Sequence, residues 1–338
     1  MKRHLPVLLA LSLASLFLGV YVGSVSLSPS EITSSITYGI KSALAGFFPS
    51  INPGEKPRYF IIVWELRLPR VLLAYLVGLS LASAGVASQA LFRNPLADPY
   101  IIGVSAGAGI GAALAAIYAP THMGTFALVS AVLSVFIVYS VSKVDGHVPV
   151  DTLLLAGIAY GFLASAITWY LVISQGDRAQ VTWMWLMGTF NGARWGDVGE
   201  MLVVSLLGVG FLTWKWRELN LILLGEESIA LGLDLHLYRK LFIGAIAFLT
   251  AFSVSTAGII GFIGLVSPHI MRLLLGPNHR SLTPASALFG GVLLVFADLL
   301  ARTVAKPTEL PVGIITALMG APFFLYLLMK HKRGELYS

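Results

Sequence analysis

Ten apolar runs divide this chain, near residues 5–25, 63–90, 100–118, 122–142, 150–174, 197–216, 237–256, 259–275, 282–304 and 309–330. Each comes close to the roughly 20 apolar residues that carry an α-helix across a bilayer. No ten-residue stretch alternates with the strand period, so a β-barrel is not expected. The pattern predicts an all-α polytopic membrane protein of about ten transmembrane helices, forming one domain over residues 1–338. Only 11% of the residues are charged and 57% are hydrophobic, against about 25% charged in soluble domains. A water-soluble chain this apolar would aggregate. Disorder and nucleic-acid binding both require more charge. The chain has no cysteine, which excludes disulfides, thiolate metal sites and cysteine catalysis.

The first run follows Met1-Lys2-Arg3-His4, as a signal peptide would. It is long enough to span, and no clean A-x-A site follows it, so a retained first helix is expected. The longest break, between the first two runs, holds Pro29, Pro49, Pro53, Gly54 and Pro57 and is expected to fall into short pieces. The eighth run contains Gly258, Gly261, Gly264 and Pro268, which predict a short, broken span. Glycine stripes at helical spacing, Gly103-Gly107-Gly111 and Gly157-Gly161, predict close helix packing. With the N-terminus inside, 13 Lys and Arg residues fall on the cytoplasmic side and nine outside, a weak bias of the expected sign. Both termini are then cytoplasmic. Among the nine outside, Arg67, Arg70 and Arg302 call for an explanation.

Catalytic patterns are missing from the sequence. It has no H-E-x-x-H, no G-x-S-x-G, and no lysine that follows a glycine, so a Walker A loop is impossible. Acids near the spans are few: Glu65, Asp151 and Asp298. Asp298 precedes Arg302 by four residues, a spacing that suits a structural ion pair. An ion-coupled carrier would bury more acids at mid-membrane. Any energy source must then be a separate chain. Between Trp216 and the seventh run lies Gly225-Glu226-Glu227-Ser228-Ile229-Ala230-Leu231-Gly232-Leu233. Its acids favour a helix N-terminus, and Ile229 with Leu233 at i,i+4 offers a small apolar face. The cytoplasmic segment near 220–236 reads either as a knob for a partner groove or as an ordinary solvated loop.

Several motifs in fixed order are more specific. Leu66-Arg67-Leu68-Pro69-Arg70 opens the second span. Gln89-Ala90-Leu91-Phe92-Arg93-Asn94-Pro95-Leu96-Ala97-Asp98-Pro99 closes it, and Gly103-Val104-Ser105-Ala106-Gly107 follows. Later come Gly261 to Arg272 (GFIGLVSPHIMR), Ala297 to Arg302 (ADLLAR), Glu309-Leu310-Pro311-Val312-Gly313 and Gly320-Ala321-Pro322. From about residue 5 to 330 the chain resembles the permease subunits of type II ABC importers, the vitamin B12 permease-like family that takes up ferric siderophores, haem and vitamin B12.

The resemblance implies a homodimer with the pore between its copies, two ATPase subunits below and an extracytoplasmic substrate-binding protein above. It implies a multi-pass protein of the cell membrane, in contact with lipid, with no cofactor, no metal and no ATPase site of its own. Gly225–Leu233 matches the family's coupling helix. Arg67, Arg70 and Arg302 match arginines that meet acids of the binding protein, although Arg302 has Asp298 as a competing partner. Asn94, with Leu96, matches an inner constriction. Val150 and Asp151 stand at the other gate, where the vitamin B12 permeases carry small hydroxyl residues. Asp151 either gates the pore or caps the fifth span. Val181–Trp195, with its tryptophans, is expected at the outer membrane surface, where the family has a short external helix. The implied cargo is a metal chelate, most commonly a ferric siderophore, with cobalamin, haem or an oxyanion such as molybdate as alternatives.

Overall fold

The computed structural model describes residues 4–23, 25–48, 50–306 and 308–332. Of the basic residues counted on the inner side, Lys2, Arg3 and Arg333 lie outside this set. Among these residues fourteen α-helices follow one another: α1 Leu5–Tyr21, α2 Pro29–Ala45, α3 Leu68–Leu91, α4 Val104–Tyr118, α5 Met123–Val141, α6 Val150–Ile173, α7 Ala179–Leu186, α8 Trp195–Trp214, α9 Trp216–Leu221, α10 Glu227–Ala230, α11 Leu235–Ala257, α12 Ile263–Leu275, α13 His279–Thr303 and α14 Val312–Lys332. Among the described residues the only β pairing is an isolated bridge between Val144 and His147.

Helices stand at all ten predicted places. Six are long and apolar enough to cross a membrane: Ile61–Leu91, Pro120–Val141, Val150–Ile173, Trp195–Trp214, Leu235–Ala257 and His279–Thr303. Three apolar helices are shorter, α1, α4 and α12, and the stretch Val312–Tyr326 of the 21-residue α14 is apolar as well. Among the described residues, the expected set of about ten spans is thus matched by ten apolar helices, six of them long and apolar enough to cross a membrane. The second span begins earlier than its hydropathy suggests. Seven residues, Ile61–Arg67, form a wide π-type turn that leads straight into α3.

The break between the first two runs is not in short pieces, and this expectation is corrected. It contains α2, a helix of 17 residues. Pro29 sits in its first turn, where a missing N–H costs nothing. Ser28 and Glu31 form a capping box: the Glu31 N–H donates to the Ser28 hydroxyl at 3.4 Å, and the Ser28 N–H donates to the Glu31 carboxylate at 2.8 Å. The backbone and hydroxyl bonds from Ser28 hold the Glu31 carboxyl below the usual carboxylate range.

α3 is the axis of the bundle, and Ser80 to Leu91 are buried throughout. It packs against α13, α8, α11 and α12. Two close approaches depend on glycine. A Cβ at Gly78 would overlap the Gly290 carbonyl of α13, and one at Gly85 would overlap the Gly264 carbonyl of α12. The second has a sequence cause. Pro268 lacks an N–H, so the carbonyl four residues earlier, Gly264, has no helical partner. That carbonyl turns onto α3. The eighth span is short and broken as predicted, entering through Gly258 and Phe262, both at positive φ. The Gly107 and Gly111 stripe packs α4 on α5, and Gly157 seats α6 on the Ile101 carbonyl, whereas Gly161 meets open space.

Candidate functional site

At one end of the bundle three arginines converge. Arg67 closes the π-type turn, Arg70 stands one turn further along, and Arg302 comes from the last turn of α13. They line a common cavity of about 180 Å³ together with Phe190, Asn191 and Glu309. Arg70 grips Asp298 through two nitrogens, Nε at 3.0 Å and Nη2 at 2.9 Å, and reaches Glu309 at 2.7 Å. Arg302 pairs with Asp298 at 3.0 Å, off the line of a hydrogen bond, and also donates to the Gly19 carbonyl at 3.1 Å. Arg67 donates to the carbonyls of Val20 at 3.0 Å, Tyr21 at 3.2 Å and Val25.

These contacts give the three arginines expected outside a structural explanation. The last carbonyls of a helix have no internal partner, and its C-terminus carries negative partial charge. α1 has no basic residue in its last turn. Arg67 and Arg302 supply that charge from elsewhere in the chain. They are only 5% and 6% exposed, while Glu309 is 40% exposed. The predicted Asp298–Arg302 pair is present, and Arg70 completes it as a triad. Three cations and two carboxylates leave one positive charge around the cavity.

The opposite end carries the remaining predicted residues. Gly225 and Gly232, at φ of 61° and 84°, bracket a single helical turn, Glu227–Ala230. Both angles lie where a Cβ is strained. Ser228 is buried, and its hydroxyl donates to the Gly225 carbonyl at 2.6 Å, which tightens the turn. Ile229 and Leu231 are 50% and 61% exposed. Leu233 is buried instead, which corrects the expected Ile229–Leu233 face. The helix ends before Leu233, and the positive-φ turn at Gly232 directs the chain inward. Glu226 is paired with Arg239 at 3.2 Å. Glu227 lies in the first helical turn, and Ala230 closes the helix.

Asn94 and Leu96 lie in the loop between α3 and α4. The Asn94 side chain accepts from the Leu96 N–H at 2.9 Å, and its own N–H donates to the Gln89 carbonyl at 3.1 Å. That second bond ends α3 in a Schellman-type turn with Arg93 at φ 49°, a place usually held by glycine. A Cβ on Gly225 would lie 2.6 Å from Arg93 Nη1. The one-turn helix segment and the Asn94 loop therefore touch through Arg93, a contact that the sequence reading missed. Val150 opens α6, with Pro149 as its cap residue and no side-chain cap bond. Asp151 is exposed in that first turn, so of its two readings the capping bond is not formed. Of the expected Val181–Trp195 segment only the first part is helical, as α7, while Trp195 opens α8; Trp183 packs on Trp169 with ring centres 4.4 Å apart.

Residues 9–330 match the FecCD transport family. A cobalamin import system permease protein, BtuC, of Halobacterium salinarum is 48% identical over 273 residues, covering 79% of this chain and 73% of that protein. The vitamin B12 import system permease protein BtuC of Escherichia coli O9:H4 is 40% identical over 295 residues, covering 84% of this chain and 89% of its own length. A solved structure described as an inward-facing conformation of a metal-chelate type ABC transporter superposes with a TM-score of 0.83 at 31% identity, covering 98% of this chain and all of that one. With nearly its whole length matched, and with the family's motifs at both ends of a ten-helix bundle, the chain belongs to the FecCD transport family.

Proposed function

We propose that this chain is the permease subunit of an ATP-driven importer. Two copies would enclose the pore, two separate ATPase subunits would sit on the cytoplasmic side, and a binding protein would deliver cargo from outside. In this reading both termini are cytoplasmic, and the chain needs no ATPase site or cofactor of its own. The observation that carries it is the segment Gly225–Leu233: one helical turn, braced by Ser228, with Ile229 and Leu231 exposed on a surface that should be polar. Such an apolar pair fits a groove in a partner. A push there reaches Arg93 and hence the Asn94–Leu96 loop, which with Val150 and Asp151 forms the inner gate.

On the outer side, the binding protein docks over the arginine cavity. Arg70 is the direct contact, because its partner Glu309 is partly exposed and can exchange with an incoming carboxylate of the same geometry. Arg67 and Arg302 add positive field that steers the encounter while remaining bonded to α1.

The cargo is a bulky metal chelate. A corrinoid is the first reading, supported by the names of relatives at 48% and 40% identity. A ferric siderophore or haem is the second, supported by the metal-chelate description of the structural relative. Reconstitution with the partner ATPase and binding protein in proteoliposomes tests both. ATP-dependent uptake of labelled cobalamin is expected, and uptake of a ferric chelate alone selects the second reading. Uptake without ATP or the ATPase would overturn the proposal in favour of an ion-coupled carrier.

A further inference from the structure

Two cavities meet between α5 and α11. The first is a recess of about 180 Å³ at the helix ends, lined by Tyr139, His147, His236, Arg239 and Lys240 among others. The second is an apolar groove of about 500 Å³ along the helices, with Gly244, Ala247 and Ala251 as its floor and Phe136, Phe248 and Phe252 as walls. Tyr139, Lys240 and Ile243 line both, so the two are continuous. Among the described residues no carboxylate lines either cavity.

The recess is preorganised. Val144 and His147 close a tight hairpin by mutual backbone bonds of 2.8 and 2.9 Å. Asp145 and Gly146, both at positive φ, form its two-residue tip. This fixes His147 face to face with His236, with ring centres 4.0 Å apart and planes 13° from parallel. Lys143 lies over the Tyr139 ring at 5.5 Å. Arg239 holds Glu226 from outside the recess, and Lys240 is exposed. The groove runs from Lys240 to Phe252, about 18 Å of helix at ~1.5 Å per residue. Half of a hydrocarbon core roughly 30 Å thick is about 15 Å. A recess that carries Lys240 and the Glu226-paired Arg239 thus leads into an apolar groove about as long as one leaflet is deep.

We propose that this cleft binds one anionic phospholipid, with the phosphate in the His147–His236–Arg239–Lys240 recess and one acyl chain along Gly244–Phe252. Basic pockets between membrane helices recognise anionic headgroups by charge, and the groove adds the requirement for a chain. The site does not depend on the importer reading; its placement in the inner leaflet rests on the orientation proposed above.

The test is native mass spectrometry of lipid retained by the intact transporter, extracted from bilayers of phosphatidylcholine with and without phosphatidylglycerol. This readout requires no transport, so its failure is distinct from failure of the importer reading. The wild type is expected to keep phosphatidylglycerol in preference to phosphatidylcholine. Lys240→Glu reverses one charge and should lower that retention about thirtyfold. Gly244→Leu fills the groove without internal overlap, since nothing lies within 4 Å of a Cβ there, and should lower retention at least about tenfold. Equal retention of both lipids overturns the proposal. Loss in Lys240→Glu but not in Gly244→Leu, with displacement by inorganic phosphate, reassigns the recess to a free anion. The chain has no cysteine, so a Gly244→Cys variant that cross-links to a second copy would show that the groove is a subunit interface.

Discussion

Replacing Asp298 with Asn should be the most damaging isosteric change in this protein. Asp298 is 1% exposed and, among the described residues, is the only carboxylate paired with Arg302, while it shares Arg70 with Glu309. Asn keeps the shape and an oxygen for Arg70 but removes the charge. Two guanidinium groups, 12% and 6% exposed, are then left with Glu309 as their nearest carboxylate. Breaking a buried ion pair from one side costs about 3–5 kcal/mol, because the surviving charge stays desolvated. At about 2 °C per kcal/mol for a chain of this size, the thermal midpoint should fall by roughly 6–10 °C. Size-exclusion chromatography of detergent-solubilised protein after stepwise heating measures it. A cycle with Arg302→Met should show coupling of about 0.5–3 kcal/mol. Arg302→Met alone should destabilise through its lost bond to α1, whereas a pure docking residue would weaken only the binding-protein complex. A shift below about 1 °C for Asp298→Asn, or additivity within about 0.5 kcal/mol, would refute the buried triad.

Other expectations concern separate parts of the molecule. Ile229→Asp with Leu231→Asp should leave the fold intact, since both side chains face solvent, yet lower ATPase-subunit retention in pull-down at least tenfold; unchanged retention would remove this segment from the contact. Arg70→Glu should weaken association with the binding protein, with the loss growing at low ionic strength in surface plasmon resonance; equal loss at all salts would exclude a charge contact. Gly85→Val should cost more than about 3 kcal/mol, because its Cβ overlaps the Gly264 carbonyl and neither backbone can yield; wild-type thermal stability would contradict this packing. In the loop outside the spans, burial pushes the Asp98 carboxyl up to about 6, against the bond donated by the Tyr100 N–H. The native state therefore holds its proton more tightly than the unfolded chain. The contribution to stability is full below about pH 4 and is lost as pH rises through about 6. Asp98→Asn keeps the acceptor and should flatten the thermal midpoint between those values; an unchanged slope would dismiss Asp98 as its source.

Much of the site was legible because its signals are local. Asp298 and Arg302 lie four residues apart on one helix, and Gly225–Leu233 announces its turn through acids and flanking glycines. The capping box Ser28-Pro29-Ser30-Glu31 is equally local, but the prolines around it carry the opposite signal of a broken segment. Leu233 was misplaced for a different reason. Helical spacing holds only while the helix lasts, and this one ends at Ala230.

The sequence by itself determined that the chain is a bundle of about ten apolar helices, since in lipid the alternative to a helix is a closed barrel and no run alternates with the strand period. It also determined the family, through motifs whose order is read along the chain. Tertiary structure alone decided which charges are spent inside the molecule. Arg70 meets Asp298 across 228 residues of sequence, Arg67 meets the end of α1 across 42–47, and α5 with α11 shapes the basic cleft from segments about a hundred residues apart. Local composition fixes what each helix can bury. Only packing brings distant side chains within the few ångströms at which charge and shape select a partner.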